Sequence, residues 1–181
     1  ALLAPGLGAA PSDGFLEPGT RVLRVYEGAP GEQLAGYMRR LGDLNGDGVA
    51  EWAANGPYAP GTSSIEGRVV VMDGAGGEIA REHFGPDENT ELTGPTSCPD
   101  ITGDGIPEYA VFTGFASPVG RAWIYDGDLR VPIEDALVHT QSGAPDDYFF
   151  FGENVGDING DGVGDLAWAA DGGTTANGQT G

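Results

Sequence analysis

Apolar residues in this chain come in short runs cut off by glycine. Residues 52–54, 109–112 and 166–170 each follow an acidic loop directly and are themselves followed shortly by glycine, which is the length and punctuation of β-strands. A second set of runs, RVLRVYEG ending at Gly28, GRVVVMDG ending at Gly74 and GRAWIYDG ending at Gly127, joins β-favouring residues to a closing acidic residue and glycine. No segment sustains an apolar period of 3.6 residues, so helical solenoids fit badly. The pattern predicts an all-β chain.

The runs repeat. GDLNGDGVAE begins at Gly42, PDITGDGIPE at Pro99 and GDINGDGVGD at Gly156, and their first aspartates, Asp43, Asp100 and Asp157, fall 57 residues apart each time. Two of the acid-glycine endings also continue alike, as GAPGE from Gly28 and GAGGE from Gly74. One period reads as strand, acidic loop, strand, variable loop, strand, tight turn and a weaker fourth strand, which is the content of a four-stranded antiparallel propeller blade. The interval from closing glycine to the next acidic loop is 15 residues after Gly28, against 26 after Gly74 and 30 after Gly127, so the first of these fourth strands is abbreviated.

About three blades fit in residues 20–181, fewer than a propeller normally needs to close. The expectation is a half propeller. After the third loop and its strand, the strand needed next is of the kind that RVLRVYEG supplies near the N-terminus, so the termini of two copies would complete shared blades in a homodimeric ring of about six blades. Residues 1–19 mix Ala, Pro and Gly without periodicity and read as a linker.

Composition agrees with strands and tight turns, with 33 Gly and 13 Pro in 181 residues. A formal charge of −20 repels phosphate backbones and anionic membranes, which argues against nucleic-acid partners. The single cysteine, Cys98, excludes an internal disulfide framework and any multi-cysteine metal site, and reads as a small packing residue. No apolar run approaches the roughly 18 residues of a membrane span, and the N-terminus lacks the basic start of a signal peptide. Membrane insertion is not expected.

Each acidic loop sets oxygen-bearing side chains at positions 1, 3, 5 and 9, with glycine at 6. A turn brings alternate side chains towards one point, and glycine permits the positive φ that wraps the backbone around an ion. The candidate ligands are Asp43, Asn45, Asp47 and Glu51 in the first loop, Asp100, Thr102, Asp104 and Glu108 in the second, and Asp157, Asn159, Asp161 and Asp165 in the third. The carbonyls of Val49, Ile106 and Val163 at position 7 complete the sets. All-oxygen shells suit Ca2+, up to three ions, better than magnesium or zinc. With Thr102 at position 3 and Pro107 beside its last ligand, the second loop is expected to be the weakest. An EF-hand or dockerin would require glutamate at position 12, where this chain has Ala54, Val111 and Trp168.

The pattern D-x-[DNT]-x-D-G-x-x-[DE] followed by an apolar strand resembles the FG-GAP repeats of integrin α-subunit propellers and related bacterial extracellular proteins. The third copy is nearest, with Phe151-Gly152 ahead of Val155-Gly156-Asp157 and the strand at 166–170. The first two copies lack the Phe-Gly pair, so the resemblance rests on the loop and the period. It implies a β-propeller with the loops on one rim, calcium that is mainly structural, and an extracellular, cell-surface or periplasmic setting. It also implies a binding or adhesion module with a protein partner docking elsewhere on the propeller. Two alternatives stand beside it, a propeller lectin using Tyr58, Trp123 and Tyr148 on a carbohydrate, and an accessory domain of a larger secreted enzyme. The chain itself is not expected to be an enzyme. His83 and His139 lie in no catalytic motif and read as solvated loop or strand-edge residues, and the aromatic run at 148–151 reads as a buried strand.

Overall fold

The computed structural model describes residues 24–56, 58, 66–86, 90–113, 119–145 and 147–171, without the side chains of 145, 150, 151 and 171. Residues 1–19, the expected linker, lie outside the described part. The described residues form strands and no helix.

The first sheet runs β1 (Met38–Gly42), β2 (Glu51–Gly56), β3 (Arg68–Met72), β4 (Ile79–Phe84), and the second runs β5 (Leu92–Ser97), β6 (Tyr109–Thr113), β7 (Val119–Tyr125), β8 (Leu137–Pro145). Both are antiparallel, with spatial order equal to chain order. A third sheet pairs β9 (Tyr148–Gly156) with β10 (Asp165–Asp171). The three runs predicted behind the acidic loops are β2, β6 and β10, each the second strand of its sheet. The architecture is thus a succession of antiparallel sheets; none closes on itself, and the described residues form no closed ring.

The sheets stack face to face, which explains why their central strands read as unbroken apolar runs. In β3, Val69 and Val71 enter a core with Leu41, Ala53, Tyr109 and Val111, between the first two sheets, while Val70 and Met72 face the other way, against Leu34, Trp52 and Ile79. In β6, Tyr109 and Val111 face the first sheet, and Ala110 and Phe112 meet Phe149, Leu166 and Trp168 of the third. Covering both faces buries every residue of β6. Fully burying a side chain such as Phe112 contributes about 2–3 kcal/mol. The outer strand β4 keeps the alternation of a half-exposed edge.

The first strands lie side by side, with β5 against β1 and against β9. Ser97 Oγ donates to the Leu41 carbonyl at 3.0 Å, and Arg39 on β1 reaches Glu153 on β9 at 3.3 Å. The acidic loops consequently come together at one end of the stack, and their flanks touch. A Cβ on Gly42, just before the first loop, would lie 2.7 Å from Cγ of Pro107 in the second, and a Cβ on Gly164 in the third loop would lie 2.6 Å from Cβ of Pro99, just before the second.

Two expectations change here. The RVLRVYEG run was expected as a strand, but its described part, residues 24–28, carries no strand and pairs with none of the described strands. It lies against the first sheet, with the Tyr26 ring edge-on to Trp52 at 5.3 Å and the Arg24 guanidinium donating to the carbonyls of Ala75 and Gly76. His83 is buried rather than solvated, because the second sheet covers the inward side of β4; its imidazole packs on Tyr125 at 4.3 Å between ring centroids. His139, on β8, is exposed.

Candidate metal centre

All three acidic loops occupy the same place, the connection between the first and second strand of a sheet. Glycines at positions 4 and 6 make the fold of the loop possible: in the first loop Gly46 and Gly48 take φ of 79° and 86°, and the third loop repeats this at Gly160 and Gly162 with 81° and 90°. Left-handed backbone at two points curls the chain so that its N–H groups turn inward.

The first aspartate collects those groups. Gly46 and Asp47 N–H donate to Asp43 Oδ1 at 2.7 and 3.2 Å, and Gly48 N–H donates to Oδ2 at 2.8 Å. Asp100 and Asp157 receive the same three bonds, from Gly103, Asp104 and Gly105 and from Gly160, Asp161 and Gly162. The Gly48 N–H, with those of Gly46 and Asp47, holds the Asp43 carboxyl below the usual carboxylate range, and Gly162 and Gly160 do so for Asp157. The aspartate at position 5 accepts the N–H of position 7, with Val49 to Asp47 at 2.7 Å and Ile106 to Asp104 and Val163 to Asp161 both at 2.8 Å.

Position 9 closes the loop. Glu51 accepts the Leu44 N–H at 2.5 Å, Glu108 that of Ile101 at 2.7 Å, and Asp165 that of Ile158 at 2.9 Å. Position 3 then reaches the other oxygen: Asn45 donates to Glu51 and Asn159 to Asp165, both at 3.2 Å, and the Thr102 hydroxyl donates to Glu108 at 2.8 Å. Threonine therefore takes over the amide's bond in the loop expected to be weakest.

Carboxylates converge in two of the loops. Asp100, Asp104 and Glu108 each offer an oxygen, all within 4.8 Å of one another, as do Asp47, Glu51 and Asp73. Asp43 stands outside that first group and spends its oxygens on backbone N–H groups, while Asp157, Asp161 and Asp165 form no such group among the described residues. Glu51 and Glu108 are fully buried. Burial, with Asp47 and Asp43 nearby, raises the Glu51 pKa, the condition of a carboxylate lacking a counter-charge. Clustered carboxylate oxygens of this kind could hold a metal ion.

Asp73 is the ligand candidate that loop spacing misses. It follows β3, and Asn45 Nδ2 lies 3.4 Å from its carboxylate. Its signal was the acidic residue and glycine closing each β-rich run, since a Cβ on Gly74 would lie 2.2 Å from the Ala50 carbonyl at position 8 of the loop. The corresponding Asp126 belongs to no such group among the described residues and accepts the Asp128 N–H at 2.8 Å.

Away from the loops, a cleft of about 130 Å3 opens between the first two sheets, lined by His83, Phe84, Leu92, Trp123 and Tyr125 among others. Tyr58 is exposed and Tyr148 half-buried. Cys98 is buried in the second core, and burial pushes its thiol up to about 12, far from the range of a reactive thiolate. Among the described residues no helix is long and apolar enough to cross a membrane. Compared with models of known protein families the chain matches none, and comparison with curated proteins returns no match.

Proposed function

We propose that the chain is a calcium-stabilised binding module of β-propeller type, built from FG-GAP-like blades, in which the cation is structural. One observation carries this reading: three loops at equivalent places in successive sheets share one hydrogen-bond pattern, and in two of them three carboxylates converge to within 4.8 Å of one another. In the first loop Asp43, Asn45, Asp47, Glu51, the Val49 carbonyl and Asp73 would hold the ion. In the second, Asp100, Thr102, Asp104, Glu108 and the Ile106 carbonyl would do so, and in the third Asp157, Asn159, Asp161, Asp165 and the Val163 carbonyl. A bound cation supplies positive charge that offsets carboxylate repulsion in a chain at −20.

The chain's own residues prepare each loop without the ion, since the backbone N–H groups fix the curl and the position-3 side chain braces the residue at position 9. Stacked sheets with loops gathered at one end leave the remaining surface for a partner, which supports a binding or adhesion role at a calcium-rich extracellular location. The test is a thermal melt of the chain in calcium, magnesium or chelator, together with calorimetric calcium titration. A melting temperature raised by calcium and lowered by chelator is expected; indifference to chelator, or equal rescue by magnesium, would overturn the calcium assignment.

A further inference from the structure

Asparagine followed by glycine is a labile pair, because the glycine nitrogen has no Cβ beside it and can close on the asparagine side-chain carbon as a cyclic imide. Four such pairs stand in the sequence, at Asn45, Asn55, Asn159 and Asn177, the last outside the described residues. Asn45 and Asn159 hold position 3 of the first and third acidic loops, where the second loop has Thr102.

The fold treats the three described pairs differently. Asn55 lies buried in β2, where its Oδ1 accepts the Tyr37 N–H at 2.7 Å and its own backbone N–H donates to the Tyr37 carbonyl at 3.1 Å. Its neighbour Gly56 is paired with Arg68 of β3, and a Cβ there would lie 2.7 Å from Glu32 Cγ, so ring closure has no room. Gly46 and Gly160 are instead exposed, and a Cβ on either would meet nothing within 4 Å. What restrains the loop pairs is the hydrogen bonding of the curl. The Gly46 and Gly160 N–H groups donate to Asp43 and Asp157 at 2.7 and 2.6 Å, and Asn45 and Asn159 each accept the N–H of position 5 at 2.9 Å. Opening a surface loop frees these groups, whereas freeing Asn55 requires β2 to leave its sheet.

We infer that Asn45 and Asn159 are sites of spontaneous deamidation and that the fold shields Asn55 from it. In the opened first loop the Gly46 nitrogen bonds to Asn45 Cγ, its proton passes to solvent, and the Cγ–Nδ2 bond breaks to release ammonia. Water then opens the imide at either carbonyl, leaving aspartate or isoaspartate. Amide and water have become carboxylate and ammonium, and nothing is oxidised or reduced. Asn159 and Gly160 react in the same way. At Asn45 the new carboxylate faces Glu51, Asp47 and Asp73, which the amide nitrogen approaches to 3.2, 3.4 and 3.4 Å. Isoaspartate also lengthens the main chain between Asp43 and the glycines that donate to it. The second loop is exempt, since Thr102 forms no imide and still donates to Glu108 at 2.8 Å.

The experiment is peptide mapping by mass spectrometry of the full chain after incubation in mildly alkaline buffer with chelator, folded and in urea. In the folded chain the peptides with Asn45 and Asn159 should gain the mass of an amide nitrogen replaced by oxygen at least about tenfold faster than the peptide with Asn55. In urea the three should react alike. A smaller margin for either loop asparagine in the folded chain overturns the inference, and so does the same margin in urea, which would assign the difference to local sequence rather than to the fold. Chelator keeps the loops free of metal, so this result stands apart from the calcium reading that the thermal melts test.

Discussion

His83 Nε2 lies 2.9 Å from the Tyr109 hydroxyl, across the seam between the first and second sheets. Burial, and then the charge of Arg81, lowers the His83 pKa from 6.5 to about 4. The unfolded chain therefore binds the proton first as pH falls. The stability from a neutral His83 is fully present above pH 6.5 and is lost progressively down to about 4. The total loss is about 3 kcal/mol. Urea melts across that range should show His83→Gln with a shallower pH dependence than the unsubstituted chain; identical slopes would mean that His83 is not the titrating group.

Arg81 binds backbone rather than a carboxylate. Its guanidinium serves three carbonyls of the second sheet and reaches the Tyr109 hydroxyl at 3.3 Å. Arg81→Ala strands these acceptors and should cost about 3 kcal/mol or more in chemical denaturation. Arg81→Lys keeps the charge but not the planar fork, so it should recover only part of that loss.

Glu51→Gln separates charge from shape. Without a cation the buried carboxylate is a liability, so the amide should raise the melting temperature in chelator, by about 1 kcal/mol of stability. In calcium the same change should lower stability by about 2 kcal/mol through the lost ligand charge. An effect of one sign in both buffers would remove Glu51 from the cation site.

Asp73→Ala addresses the ligand contributed from outside the loop. Calcium titration should show one class of site weakened about tenfold or more, with the others unchanged. Uniform weakening of every site would point to a general loss of negative charge instead.

Gly42→Ala places a methyl group against Pro107 and forces an alanine to φ of 132°. The expected cost is about 2 kcal/mol in urea melts. Combining it with Pro107→Ala should return the steric part and leave the backbone part, so the pair should be non-additive.

Much of this was legible in one dimension. Equal spacing of Asp43, Asp100 and Asp157 located the loops, and the runs behind them fell on β2, β6 and β10. The aspartates meet backbone groups three to five residues away, and contacts that local are encoded by spacing. His83 was misplaced because a strand's outer position says nothing about a neighbouring sheet lying over it. Asp73 escaped because its partner Asn45 is 28 residues distant. The 24–28 segment has strand composition, yet a strand is defined by a pairing partner, which composition cannot supply. The expected strand run at 148–151 is part of β9 and Phe149 is buried in its core, while the side chains of 150 and 151 lie outside the described residues.

The contacts between neighbouring loops have a consequence for how such a chain can evolve. Each joint pairs one glycine with one proline, Gly42 with Pro107 and then Pro99 with Gly164. If the second repeat were duplicated in place, Pro99 would face another Pro107 and the rings would collide. If the second repeat were deleted, Gly42 would face Gly164 across a gap. Units that look interchangeable by their aspartates are therefore keyed by their neighbours, and recombination among them would be penalised at the joints before any ligand was lost.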